Sequence, residues 1–266
     1  MPTETTDRKI RSRILSRLMS SMGSGRLGRD ADMERAREIQ AGLLPRNVPQ
    51  LTGFRIDCAW QPSDKVSGDY FDVFALAGDA MALCVADVSG KGLEAALLAS
   101  QVRAAVRQYA PGAGSPAELC TEVNRALSGT IAPAKYITLL YAVLEPSGLL
   151  RYENAGHCQP LLVRADGAVE FPASFSGVLG IFSHWLYQNQ GVQLRSGDTL
   201  LLITDGILQA ENRRREEFGY RRLIAEVERQ RGQRVQRPAR EILAAVSRFC
   251  GGRFKDDASL IVVTME

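Results

Sequence analysis

Four aspartate sites stand at the ends of apolar runs, each beside glycine or a small polar residue. Asp69 lies in SGDYFD, Asp87 in CVADVSGKG and Asp205 in LLLITDGI; Asp256, with its neighbour Asp257, lies in FKDDASLIVV. A carboxylate at the lip of a buried strand is costly unless something satisfies it. One such residue is ordinarily a turn former or a helix cap. Four in one chain are harder to explain as independent turns. Carboxylates and carbonyls without histidine or cysteine suit a hard divalent cation, Mg²⁺ or Mn²⁺, and not zinc or copper. Two such ions, about 3.5–4 Å apart, can share a carboxylate and activate a water for attack on a phosphate ester.

Other motifs carry less. SGKG at 89–92 has the glycines of a phosphate-cradling loop but not the Walker spacing, so nucleotide binding there is disfavoured, and Ser89 reads as well as a cap for the next helix. His157 in NAGH has no second histidine or cysteine spaced to join it, and it reads as a turn holder before a ligand. No GxSxG elbow is present. Strand alternation leaves the face of Asp72 open, and it is left out of the ligand set.

The elements that must position these aspartates follow from periodicity. FRIDCAWQP, YFDVFALAG and AMALCVADV read as strands, the last two joined by a turn at Gly78-Asp79. GLEAALLASQVRAAVRQYA reads as a buried helix. SPAELCTEVNRALSG reads as a second, with Ser115 as N-cap and Pro116 at its first position. Five more strands follow: YITLLYAVLEP, LLRYENAG, PLLVRADG, GVQLRSGD and TLLLITDG. Two helices come next, EFGYRRLIAEVERQ and PAREILAAVSRFC, and ASLIVVTM closes the chain. Hairpin-length links favour antiparallel sheets. The order predicts an α+β fold with helices layered over sheets.

Before this body, Ile10, Ile14, Leu15, Leu18, Met19 and Met22 recur at helical spacing among arginines. GSGRLG then reads as a hinge. A second helical stretch, DADMERAREIQAGLLP, carries an apolar stripe of Met33, Ala36, Ile39, Leu43 and Leu44. The expected organisation is a basic arm over 1–30, a linker or regulatory helix over 31–46 and a catalytic domain over 47–266. Residues 1–29 hold seven basic side chains against two acidic ones, whereas the whole 266-residue chain carries only +3, so the body is slightly acidic. That balance, and the lack of aromatics in the arm, argue against nucleic acid as partner. The arm either docks on an acidic partner or stays disordered, and both are preferred to resting on an anionic membrane surface. No apolar run reaches the roughly 20 residues of a membrane-spanning helix, and the N-terminus lacks signal-peptide form. Five scattered cysteines read as reduced core thiols of a cytoplasmic protein.

In this order, AREIQAGLLP, SGDYFD, ADVSGKG, NAGH, GVLG, ITDGILQAEN, EEFGYRRL and KDDASLIVV resemble the PPM superfamily of metal-dependent protein phosphatases, in its SpoIIE/RsbU-like branch. The resemblance implies an αββα sandwich of two antiparallel sheets flanked by helix pairs. It implies a serine/threonine phosphatase using two Mn²⁺ or Mg²⁺ ions on a phosphorylated protein, often a STAS-type anti-anti-sigma factor. It carries over Asp69, Asp87, Asp205 and Asp256 as catalytic ligands, Asp87 as the bridge, and the Val88 carbonyl as a further ligand. Asp256 is preferred to Asp257 on the family pattern. It also implies that the 31–46 helix can pair with a second copy. Gln209, where the branch often has glutamate, and the bulky FSHWLYQNQG at a substrate-facing edge depart from the pattern. Two other classes compete with this reading. A phosphatase fold that only binds its partner would lack metal-dependent hydrolysis; a two-metal nuclease would need a nucleic-acid groove.

Overall fold

Alternation along single strands sorts their side chains into separate cores. In β3 (Met81–Val88), Met81, Leu83 and Val85 enter one hydrophobic cluster, while Ala82, Cys84, Ala86 and Val88 enter another. A strand buried on both faces must lie between two layers, so the sheet containing it is covered twice. The computed structural model describes residues 30–45, 47–132, 135–173, 176–231, 233 and 235–266.

Two five-stranded sheets stack face to face. The first orders β1 (Phe54–Gln61), β10 (Ala258–Met265), β9 (Thr199–Ile203), β6 (Leu161–Val163) and β7 (Val169–Glu170). The second orders β2 (Asp69–Ala75), β3, β4 (Ile137–Leu144), β5 (Leu149–Ala155) and β8 (Gln190–Gln193). Every pairing is antiparallel. Phe71, Leu83, Leu140, Leu200 and Ile261 fill the space between the sheets.

Helices α2 (Gly92–Tyr109) and α3 (Pro116–Leu127) cover the outer face of the β2–β8 sheet. The Ser115 hydroxyl accepts from the Glu118 N–H at 3.2 Å, so α3 begins at the expected cap. Helices α5 (Gly219–Arg231) and α6 (Pro238–Cys250), with the one-turn α4 (Asp205–Leu208), cover the other sheet through Leu223, Val227, Ile242 and Val246. No side chain of its own caps α6. Buried Asp57 on β1 does so instead, accepting from the Ala239 N–H at 3.0 Å. The result is the αββα sandwich that the resemblance implies.

The turn between β2 and β3 is a short 3-10 segment, Ala77–Asp79, with positive φ at Gly78 and Asp79. The exposed two-residue β7 and the four-residue α4 were not foreseen, being too short for a periodic signal. The cysteines are all free, four of them buried.

The chain divides into two units at 41/42. A helix, α1, occupies 30–43. Within the stripe expected on it, Ile39 is 67% exposed. The basic arm expected over 1–30 lies outside the described residues, Asp30 excepted. Among the described residues, no helix is long and apolar enough to cross a membrane.

Candidate metal centre

The antiparallel register of β2 with β3 sets Asp69 directly opposite Asp87. Asp69 opens its strand and Asp87 nearly ends its own, so both stand at one end of the sheet. In the other sheet β9 runs antiparallel to β10, which brings the residue after β9 beside the residues before β10. Asp205 lies two residues past β9 and Asp256 two residues before β10. Gly206 makes the approach possible: a Cβ there would overlap the Asp257 carbonyl. Four separated stretches of chain thereby bring four carboxylates to one end of the sandwich.

Hydrogen bonds across the two sheets lock this end. Asp69 Oδ2 accepts from the Thr204 hydroxyl at 2.8 Å and the Ser259 hydroxyl at 2.6 Å. Thr204 Oγ1 in turn accepts from the Ser259 N–H at 2.8 Å. Asp257 is fully engaged elsewhere. Its Oδ1 accepts from the Ser63 N–H and hydroxyl at 2.7 and 2.9 Å, and its Oδ2 accepts from the Gly68 N–H at 2.7 Å. The side chain of Asp257 therefore ties the 63–68 loop to β10. Asp256 stays 39% exposed, and its Oδ2 pairs with the Lys91 ammonium at 3.0 Å. Thr204, Ser259 and Lys91 were not singled out from sequence as site residues, and Asp257 entered only as the alternative to Asp256. Their only signal was a polar residue at the end of an apolar run, or a lysine between two glycines.

The electrostatics match a cluster short of positive charge. Burial, and next the facing Asp87, hold the Asp69 carboxyl well above the usual carboxylate range, against the two hydroxyl donors. Burial, then Asp205 and Asp256, push Asp87 from 3.8 to about 7, and Lys91 opposes the shift. Asp205 is raised by burial and then by Asp256. The four carboxylates lie near enough to one another that each raised one is pushed up by a neighbour in the group. Among the described residues, no three His, Cys, Asp or Glu side chains converge into a ready-made cage. The donors these four sites offer are all oxygens, the ligand type of a hard cation such as Mg²⁺. The Val88 carbonyl faces the same end. A Cβ at Gly68 would stand 3.1 Å from it, so glycine leaves that oxygen room.

The remaining candidates have other roles. Asp72 is wholly buried, accepts from Arg107 Nε and Nη2 at 2.7 Å each, and accepts from the Tyr70 hydroxyl at 2.9 Å. It anchors α2 to the sheet, away from the cluster. His157 holds its turn: its N–H donates to Asn154 Oδ1 at 2.7 Å, and its Nδ1 lies 2.8 Å from Thr138 Oγ1. Burial lowers His157 to about 4, against an opposing backbone contact at Ile203, so the ring is neutral at pH 7. Ser89 does not cap α2. Its hydroxyl accepts from the Tyr136 N–H at 2.9 Å, and Lys91 takes the cap position.

The family model for stage II sporulation protein E (SpoIIE) matches residues 77–266. Protein IcfG of Synechocystis is 27% identical over 222 residues, a match covering 73% of this chain but only 35% of IcfG. Phosphoserine phosphatase RsbU of Bacillus subtilis is 27% identical over 237 residues, covering 88% of this chain and 70% of RsbU. The SiaA PP2C domain of Pseudomonas aeruginosa superposes with a TM-score of 0.77 at 23% identity, covering 91% of this chain and 99% of that one.

Proposed function

The chain belongs to the SpoIIE family, and from that premise we propose that it is a metal-dependent serine/threonine protein phosphatase. The observation that carries the reading is the gathering of Asp69, Asp87, Asp205 and Asp256 at one end of the two sheets, with burial and mutual repulsion raising the proton affinity of three of them. Asp69, Asp87, Asp205, Asp256 and the Val88 carbonyl would hold two Mn²⁺ or Mg²⁺ ions. When bound, such ions supply Lewis-acid stabilisation and an activated water.

The chain's own residues do the positioning. Thr204 and Ser259 orient the Asp69 carboxylate, each donating to its Oδ2. Asp257 holds the 63–68 loop against β10, which fixes Gly68 and hence where β2 begins. Gly206 lets Asp205 sit against the 256–257 segment. Each fixes a ligand before substrate arrives, and such preorganisation is what an electrostatic catalyst needs.

The proposed substrate is a phosphorylated protein, a STAS-type anti-anti-sigma factor in a partner-switching pathway, met in the cytoplasm. The resemblance to RsbU, whose name is that of a phosphoserine phosphatase, supports this. The five unpaired thiols suit a reducing compartment. A phosphoserine STAS protein and a generic aryl phosphate, each assayed with Mn²⁺ and with excess EDTA, test the proposal. Release of phosphate from both with Mn²⁺ is expected. Binding of the protein substrate without hydrolysis of either would leave a binding module instead.

A further inference from the structure

Lys91 stands between two glycines with positive φ, Gly90 at 108° and Gly92 at 74°. Side chains other than glycine rarely adopt such angles, so the loop is built to turn sharply on both sides of one extended lysine. At Gly90 a Cβ would also collide with the Lys135 ammonium. The turn aims Lys91 across the cluster to the opposite sheet's loop. Its ammonium donates to the Lys255 carbonyl at 2.6 Å and pairs with Asp256 Oδ2 at 3.0 Å. It is also the basic side chain that opposes the raised proton affinity of both Asp87 and Asp205. The proposed ligand set does not include it.

A phosphate monoester is a dianion at neutral pH, and it must approach a mouth lined by four carboxylates. An ammonium at that mouth would both lessen the repulsion and hold the phosphoryl oxygens. Lys91 has the position and the freedom. Its side chain is 57% exposed, and the Asp256 carboxylate it pairs with is 39% exposed, so water screens the pair and it parts readily. Asp256 is also a carboxylate that a cation would need. Cation and ammonium therefore compete for one oxygen pair. A cation taking Asp256 leaves Lys91 anchored on the Lys255 carbonyl with two of its three donors free.

We propose that Lys91 receives the substrate's phosphate at the mouth of the carboxylate cluster, and that Asp256 holds its ammonium until a cation displaces it. The proposal rests on the phosphatase reading above, and its test separates the two. Lys91→Met and Lys91→Arg variants of the whole 266-residue chain, with folding checked by circular dichroism, are compared with the parent chain by calorimetry. Without substrate, Lys91→Met binds Mn²⁺ several-fold more tightly, because the competitor for Asp256 is gone. With Mg²⁺ saturating, Lys91→Met binds inorganic phosphate about ten-fold or more weakly, and Lys91→Arg recovers most of the loss. On a phosphorylated protein, Lys91→Met raises KM by a similar factor and changes kcat less. Unchanged phosphate affinity in Lys91→Met overturns the proposal, as does unchanged Mn²⁺ affinity. A parent chain that hydrolyses no phosphate ester defeats the phosphatase reading instead, and the two titrations still decide the role of Lys91.

Discussion

Asp69 and Asp87 face each other across one antiparallel strand pair, and burial raises the proton affinity of both. In the chelated protein this opposition has a stability cost with a definite pH dependence. Asp87 binds its proton more tightly in the fold, with a pKa of about 7 against 3.8, so protonation favours the fold. Its contribution is fullest below about pH 4 and is lost as pH rises through 7. Asp87→Asn removes that loss. In EDTA at pH 7.5 the variant should unfold at higher urea than the parent chain, by roughly 1–3 kcal/mol, with the gap closing toward pH 5. A gap of equal size at both pH values would show that Asp87 is not the strained group.

With metal the ranking reverses. Hydrolysis of a phosphorylated protein should require added Mn²⁺ or Mg²⁺ and cease in excess EDTA. Asp87→Asn and Asp205→Asn should each lower turnover about 100-fold or more while leaving the circular dichroism spectrum intact. Loss of a group outside the ligand shell already costs about 10–100-fold at metal sites, and a ligand costs more. Near-parental turnover of either variant at saturating metal would remove that residue from the ligand set.

Asp72 sits three residues from Asp69 yet belongs to a different part of the molecule. Its carboxylate is wholly buried and takes a two-pronged contact from Arg107, whose guanidinium also lies over the Phe74 ring at 4.1 Å. Arg107→Met strands a buried charge. Complete removal of a buried partner costs 3–5 kcal/mol, and the 40% exposure of Arg107 reduces this to about 2–3 kcal/mol. The Asp72→Asn/Arg107→Met double variant should recover part of that loss in urea melts. Mn²⁺ affinity should stay unchanged in both. A large drop in Mn²⁺ affinity would return Asp72 to the metal site.

Much of this was legible because the strands are buried on both faces or end abruptly at a polar residue. LCVADV and LLLIT announce a sheet core and its edge without any tertiary information. The two adjacent aspartates were harder. Asp256 and Asp257 are chemically identical, and what distinguishes them is the Ser63 and Gly68 amides, 189 or more residues away, folding onto one and not the other. The Thr204–Asp69–Ser259 bond set is hidden for the same reason. Each partner is an ordinary strand-end residue until two sheets stack. Asp72 was unreadable because its face depends on Arg107, a full helix away.

The FSHWLYQNQG stretch also gains a location. Leu179 bridges to Ile137, which itself pairs with Val88 beside the carboxylates. The Phe182 carbonyl accepts from Asn124 Nδ2 at 2.8 Å, which straps the loop to the end of α3. Phe182, Trp185 and Leu186 are left exposed, Leu186 at 84%. A folded substrate that presents its phosphoserine to the cluster would meet this rim. Phe182→Ser/Leu186→Ser should raise KM for a phosphorylated protein about ten-fold, since a few apolar anchors carry most contact energy. Hydrolysis of a small aryl phosphate should not change. Equal loss on both substrates would mean that the loop supports the metal centre and does not contact the partner.

Helix α1 makes the last case. Its charged residues alternate in sign around an apolar stripe, in which Leu43 is partly buried but Ile39 stands 67% exposed. An isolated helix of this length is marginal in water, and an exposed isoleucine in such a stripe suits contact with a like surface. Pairing of two copies through α1 is therefore the proposed state, with the phosphatase unit following in sequence. Ile39→Glu/Leu43→Glu should convert a dimer to a monomer by light scattering and alter phosphatase activity. Deletion of 1–30 should leave both unchanged. If the double variant keeps its mass and activity, α1 has no part in assembly or control. If truncation alone dissociates the dimer, the contact lies in the basic arm and not on this helix.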